Sequence, residues 1–223
     1  MMDGTRRSFD LEAIRADFPI LSREVHGKPL VYLDSAASAQ KPAQVLDALM
    51  SAYQDTYANV HRGLHFLSEA STDLYEAVRG KVASFIGAAS GDEIVLTSGA
   101  TMSLNLIARC WARPRLQPGD EILISIAEHH ANIVPWQMVA EATGARVRAF
   151  TLEDDGAFSM ARLKAEMSER TRIISVPHVS NVLGTVFPVA EIAELAHDAG
   201  ALMVVDGCQG VVHMPVDVTA LGA

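Results

Sequence analysis

Apolar residues recur along this chain in two registers. In residues 67–87, Leu67, Leu74, Ala77, Val78, Val82, Phe85 and Ile86 fall at helical spacing and mark one face of an amphipathic helix. Residues 9–18 form a shorter pattern of the same kind, ended by Pro19, and Pro42 opens a third helix to about residue 57. Residues 31–34 read as a short strand that runs into Ser35-Ala36-Ala37-Ser38-Ala39. Side chains that small let a ligand or another backbone come close. Beyond residue 92 the register alternates. Short apolar runs predict strands over 93–97, 121–125, 146–151, 172–176 and 202–206. Helical patterns over 101–112, 134–143, 159–168 and 188–199 lie between them, with Gly119-Asp120, Gly144, Asp155-Gly156 and Gly200 as punctuation. Strands alternating with helices predict an α/β fold, three layers in αβα order around a mainly parallel sheet.

Four of the predicted strands end in polar residues: Thr97-Ser98-Gly99, His129-His130, His178-Val179-Ser180-Asn181 and Asp206-Gly207-Cys208-Gln209. Ligands of open α/β sheets bind outside the carboxyl ends of the strands. Four polar ends on one edge therefore point to a site.

Composition narrows the classes. Of 223 residues, 49% are hydrophobic and 20% charged, which suits a chain with a substantial core and not a disordered one. The net charge of -9 and the lack of any Lys/Arg block argue against a nucleic-acid surface. Cys110 and Cys208 belong to no CxxC pair, so a zinc ribbon or disulfide framework is not expected. Residues 1–8 lack the apolar stretch of a secretory signal, and Arg6-Arg7 is followed by an acidic segment. No apolar run approaches the roughly 20 residues of a membrane span. A cytoplasmic location is expected.

Asp206 tips an apolar strand. A partly desolvated anion there needs a cation or strong donors. A pyridinium nitrogen is one such partner; a helix cap or a Mg²⁺ ion are others. Thr97 to Thr101 lead from a strand into a helix, where backbone N–H groups and the Thr101 hydroxyl could hold an anion or simply cap the helix. No Walker A lysine follows. In Glu128-His129-His130-Ala131-Asn132 the paired imidazoles suit acid–base work or stacking on a flat cofactor. His61 and His65 have i, i+4 spacing, but Gly63 between them reads as a loop and no metal is expected there. Trp111 and Trp136 read as packing residues, and Cys208 as a small buried hydrophobe. The lack of G-x-G-x-x-G after the first strand speaks against a generic nucleotide-binding domain.

These motifs carry a resemblance. Leu33-Asp34-Ser35-Ala36-Ala37-Ser38-Ala39-Gln40-Lys41-Pro42 is similar to the N-terminal signature of the group II cysteine desulfurases, the sulfur-mobilising (Suf-type) branch. His61-Arg62-Gly63, the stretch 128–136 (EHHANIVPW), the stretch 178–185 (HVSNVLGT) and residues 205–209 resemble the same family in the same order, from about residue 10 to the end. The resemblance implies the type I fold of pyridoxal-phosphate enzymes, in the class V aminotransferase branch. It implies residues 1–30 as a small-domain or arm segment and 31–223 as an incomplete large domain. It implies pyridoxal 5'-phosphate as cofactor, with L-cysteine converted to L-alanine and the sulfur left as an enzyme persulfide for iron–sulfur cluster assembly. Selenocysteine lyases share the family, so the resemblance leaves L-cysteine or L-selenocysteine as substrate. By resemblance, His129 stacks on the pyridine ring and moves protons. Asp206 pairs with the ring nitrogen, Gln209 with its phenolic oxygen, and Thr101 with the phosphate. Asn181 contacts cofactor or substrate, and Ala36, His61 and Arg62 lie near the substrate pocket or a homodimer interface. A sulfur-acceptor protein is the implied partner.

Two residues depart from the family pattern. Met102 stands where the family has Glu, and Cys208 where it has Ala. The family's cofactor-binding Lys follows a strand beyond the equivalent of residues 221–223, and its nucleophilic Cys and carboxylate-gripping Arg come later still. Lys28, Lys41, Lys81 and Lys164 are not in that context, and neither is Cys110. The 223 residues by themselves are therefore expected to be inactive, as an N-terminal half. The alternative is a non-catalytic module that pairs with a separate C-terminal polypeptide. The resemblance also places two later strands between 93–97 and 202–206, so a gap and exposed sheet edges are expected.

Overall fold

The computed structural model describes residues 9–223, so the expectation for the leader in residues 1–8 lies outside the described residues. The chain divides into two compact units, one ending at Tyr75 and one running from Glu76 to Ala223.

In the first unit, α1 (Leu11–Ala16) starts at Asp10, whose carboxylate accepts the Ala13 N–H at 3.0 Å. A small hairpin of β1 (Glu24–Val25) and β2 (Lys28–Pro29) follows. Then come α2 (Ala43–Ser51), continued by a wider turn over Ala52–Thr56, and α3 (Phe66–Ile86), which runs into the second unit. Residues 31–34 are not the strand expected of them. The Asp34 carbonyl accepts the N–H groups of Ala37 and Ser38, and the Tyr32 hydroxyl donates to the carbonyls of Asp34 and Ser38. Local turn bonds have taken the Asp34 carbonyl, one of the groups that a ladder would use.

The second unit holds α4 (Ala100–Leu106), β3 (Glu121–Ser125), α5 (Val134–Thr143), β4 (Arg146–Phe150), α6 (Met160–Glu166), β5 (Thr171–Pro177), α7 (Val189–Asp198), β6 (Leu202–Asp206), α8 (Gly210–His213) and α9 (Val218–Leu221). The four strands form one parallel sheet in the order β4-β3-β5-β6. Alternate side chains go to opposite faces. Leu123, Ile174, Val176 and Met203 pack with Leu163 of α6 and Val189 and Ile192 of α7. Ile122, Ile124, Ile173 and Val204 pack with Leu104 of α4 and Trp136 and Val139 of α5. Two cores around one sheet make the three-layer αβα arrangement expected from the sequence. All five residues of β3 are buried, as a central strand covered on both faces requires.

Residues 93–97 do not form the expected strand either. A 3-10 turn covers Gly91–Glu93; the Ile94 N–H then bonds the Gly91 carbonyl, and the Ile94 carbonyl accepts from Arg79 Nε at 3.2 Å. Apolar content makes a strand only where a neighbour offers a ladder, and none of the described strands lies beside this segment. β6 is accordingly an edge strand. Along its outer side runs an apolar cavity of about 650 Å³, lined by Ile86, Trp111, Leu202, Val204 and Val218 among others.

Candidate functional site

The parallel sheet aims the carboxyl ends of β3, β5 and β6 at one edge, and hydrogen bonds tie the loops that leave them. The His178 N–H donates to the Asp206 carbonyl at 2.9 Å, joining β5 to β6 at their last residues. The Ser180 hydroxyl donates to the Ala127 carbonyl at 3.3 Å, joining the loop after β5 to the loop after β3. Asn132, fully buried, accepts the Trp136 indole N–H at 2.8 Å and the Ser175 hydroxyl at 2.7 Å. Ser175 is a polar residue inside an apolar strand, and a buried hydroxyl needs a partner; its partner is the loop of the two histidines.

His129 sits at the start of the short turn His130–Asn132, where its Nδ1 accepts the Ala131 N–H at 3.1 Å. An acceptor Nδ1 puts the proton of the neutral ring on Nε2. The two imidazoles meet edge to face, 6.2 Å between centroids. Asp206 is 9% exposed, and its Oδ1 accepts the Cys208 N–H at 3.0 Å. Gln209 immediately precedes α8, and Asn181 is exposed in the turn that leads back from β5. Thr101 is the second residue of α4, which packs against the His130–Asn132 turn. Gly99, at φ +140°, lets the chain enter α4, and the Thr97 and Ser103 hydroxyls bond at 2.8 Å below it. Thr101 and Met102 line a cavity of about 460 Å³ with Ser98, Asn105 and Arg109. Thr101, His129, Asn181, Asp206 and Gln209 thus all belong to the second unit, at a strand end, on loops or at helix starts.

Ala36, His61 and Arg62 belong to the first unit. Ala36 lies in the turn closed by Asp34. His61 has a left-handed backbone, φ 69°, rare for a residue with a Cβ. Its N–H donates to Thr72 Oγ1 at 2.9 Å, and its ring meets Tyr75 edge-on at 5.5 Å. The Arg62 N–H donates to the Val60 carbonyl.

Burial and charge tune three groups at the sheet edge. Glu128 is raised to about 8 by burial and by the like charge of Asp206, against a lowering by Asn132. Burial pushes the His178 imidazole below its ordinary value. Cys208 is exposed as a residue and is not the buried hydrophobe expected, because the chain turns to solvent after Asp206. Its thiol is nevertheless shielded, and close enough to Asp206, to be pushed up to about 11. A thiol that keeps its proton at neutral pH is a poor nucleophile.

The His178 ring lies against the backbone of Gly210. A Cβ at Gly210 would stand 2.5 Å from His178 Nδ1. The Gly210→Ala variant is therefore expected to lose about 1–3 kcal/mol through overpacking, read as a lowered urea midpoint.

The carboxyl edge of the sheet thus carries a carboxylate at the end of β6, paired histidines on the loop after β3 and, in the second unit as well, hydroxyls at the start of α4. Residues 31–223 match the family described as aminotransferase class-V. The chain belongs to that family. A cysteine desulfurase from Pectobacterium atrosepticum is 52% identical over 214 residues, which are 96% of this chain and 53% of that protein. The crystal structure of the cysteine desulfurase CsdA from Escherichia coli aligns with a TM-score of 0.84 at 44% identity, covering 96% of this chain and 52% of that one. A C-DES variant with glycine covalently linked to its pyridoxal-phosphate cofactor aligns at a TM-score of 0.78 and 21% identity, a likeness of fold. It covers 93% of this chain and 52% of that one. The architecture is the type I fold of pyridoxal-phosphate enzymes. The chain spans about half the length of the curated relatives it matches.

Glu128 and the two serines, Ser175 and Ser180, had no role assigned from sequence. A lone Ser in Ile173-Ile174-Ser175-Val176 was a usable signal, since a polar side chain in a fully buried strand must be bonded to something.

Proposed function

We propose that residues 31–223 are the pyridine-binding part of a cysteine desulfurase large domain, with residues 1–30 an arm or small-domain segment. The site holds pyridoxal 5'-phosphate and acts in converting L-cysteine to L-alanine, with the sulfur passed to a persulfide and on to an acceptor protein for iron–sulfur cluster assembly. L-selenocysteine is the alternative substrate, and the working form is a cytoplasmic homodimer. The observation that carries this is Asp206: a carboxylate nine-tenths buried at the end of β6 and bonded by the Cys208 N–H. Such a group needs a cation or a further donor. The pyridine N–H supplies both.

Bound there, pyridoxal 5'-phosphate would supply an electron sink for a substrate carbanion. The chain's own residues do the rest. Asp206 would hold the ring nitrogen protonated. His129 would stack on the ring and move protons through its Nε2. Thr101 and the start of α4 would hold the phosphate, and Gln209 would donate to the phenolic oxygen. Cys208, its thiol pushed up to about 11, is not the sulfur carrier. No lysine or second cysteine stands in the family's place for the covalent steps, so the 223 residues bind the cofactor ring without turning cysteine over.

Amino-acid analysis of incubations with L-cysteine and pyridoxal 5'-phosphate tests both statements. The native polypeptide that carries these residues is expected to release alanine, and residues 1–223 alone none. No alanine from the former removes the desulfurase assignment. Alanine from the latter removes the claim of inactivity.

A further inference from the structure

Among the described residues, three buried side-chain atoms have no hydrogen-bond partner: both carboxyl oxygens of Glu128 and Nδ2 of Asn132. All three lie in the loop after β3. The Asn132 amide is fixed from its other end, because an indole can only donate, so the atom that meets Trp136 must be Oδ1. The Ser175 hydroxyl donates to the same oxygen. Nδ2 is thereby left to Glu128. It lies near enough to favour the carboxylate, yet no N–H···O contact reaches hydrogen-bond geometry. From the end of β6, the Asp206 charge acts on Glu128 in the opposite sense.

Other titratable groups around this edge do not replace these partners. His129 turns its Nδ1 to the Ala131 N–H, His130 meets His129 edge-on, and burial favours neutral His178. Cys208 keeps its proton. Two carboxyl groups therefore share one poorly solvated strand end, and such a pair does not readily carry two negative charges.

We propose that Glu128 is a positioning residue that keeps the charge of this strand end constant: it holds a proton while Asp206 is alone, and gives it to solvent when a cationic ring stands against Asp206. The ring's positive charge offsets Asp206, the repulsion on Glu128 falls, and the Asn132 N–H then gains a carboxylate to bond. Since this rests on the cofactor assignment made above, its test separates the two.

The first measurement needs no variant. In protein labelled with 13C at glutamate carboxyls, one resonance is expected to titrate near 8, and to titrate lower once pyridoxal 5'-phosphate is added. The second compares proton release on adding the cofactor near pH 7. The parent is expected to release close to one proton per cofactor more than Glu128→Gln, because a neutral isostere has no proton to lose. A full set of glutamates titrating in the ordinary range overturns the proposal. So does equal proton release by two proteins that both bind the cofactor. Failure of the parent to bind the cofactor overturns the site assignment, and the coupling with it, whatever the free titration shows.

Discussion

The stability advantage of Glu128→Gln over the parent is expected to grow by about 3 kcal/mol between roughly pH 5 and pH 8. The sign follows from where the proton is held. Glu128 has an ordinary value of 4.5 and is raised to about 8 in the folded chain. Below 4.5 both folded and unfolded states are protonated, and the group contributes no pH dependence. Between the two values the unfolded state releases the proton and the folded state keeps it, so the parent loses about 1.4 kcal/mol of stability per pH unit. Above the folded value both states are ionised and the loss is complete. Glutamine keeps the shape and cannot ionise, so it escapes the loss. Urea denaturation of both proteins at several pH values checks this. Parallel curves would mean that Glu128 is solvated or fully bonded, contrary to its two buried, unpartnered oxygens.

The same residue shows where sequence reasoning reached and where it stopped. Most of the second unit was legible because apolar periodicity is a local property. The strand predicted over 121–125 is β3, buried at every position, and the helix predicted over 134–143 is α5 to the residue. Residues 93–97 have the same apolar character as β6 but make no ladder, because pairing depends on a neighbour and not on the segment itself. Residues 31–34 failed for a related reason: Asp34 and Tyr32 bind the turn before any strand can use its groups. At the sheet edge, the positions of His129, Asn181, Asp206 and Gln209 followed from strand ends and from motif. Nothing in the sequence said that Glu128 would be buried beside Asp206, since that needs the register of β3, β5 and β6. Cys208 is exposed where its residue type predicts burial, because type speaks to average burial while the path of the chain after Asp206 decides its exposure.

Removing the charge of Asp206 is expected to weaken pyridoxal 5'-phosphate binding by a factor of roughly 150–5,000, the consequence of taking one partner from a buried charge pair at about 3–5 kcal/mol. Asp206→Asn is the variant of choice. It keeps the volume and an oxygen for the Cys208 N–H at 3.0 Å, so the fold around α8 is preserved. What it lacks is the charge that makes a protonated ring nitrogen favourable. Equilibrium dialysis against the cofactor gives the affinity. Val212→Ala is the control, because it trims an exposed side chain of α8 away from the carboxylate and is expected to change affinity by less than about threefold, as exposed positions usually do. A second effect is expected in the free protein. With Asp206 neutral, one of the two causes that raise Glu128 is gone, so its carboxyl titrates lower than in the parent, while burial, the larger cause, keeps it above the ordinary range. Affinity falling with no movement of Glu128 would place Asp206 at the cofactor but uncouple the two acids. Movement of Glu128 with unchanged affinity would leave the carboxyl pair intact and put the ring nitrogen elsewhere. Only the joint change follows from one carboxylate facing both the cofactor and its buried neighbour.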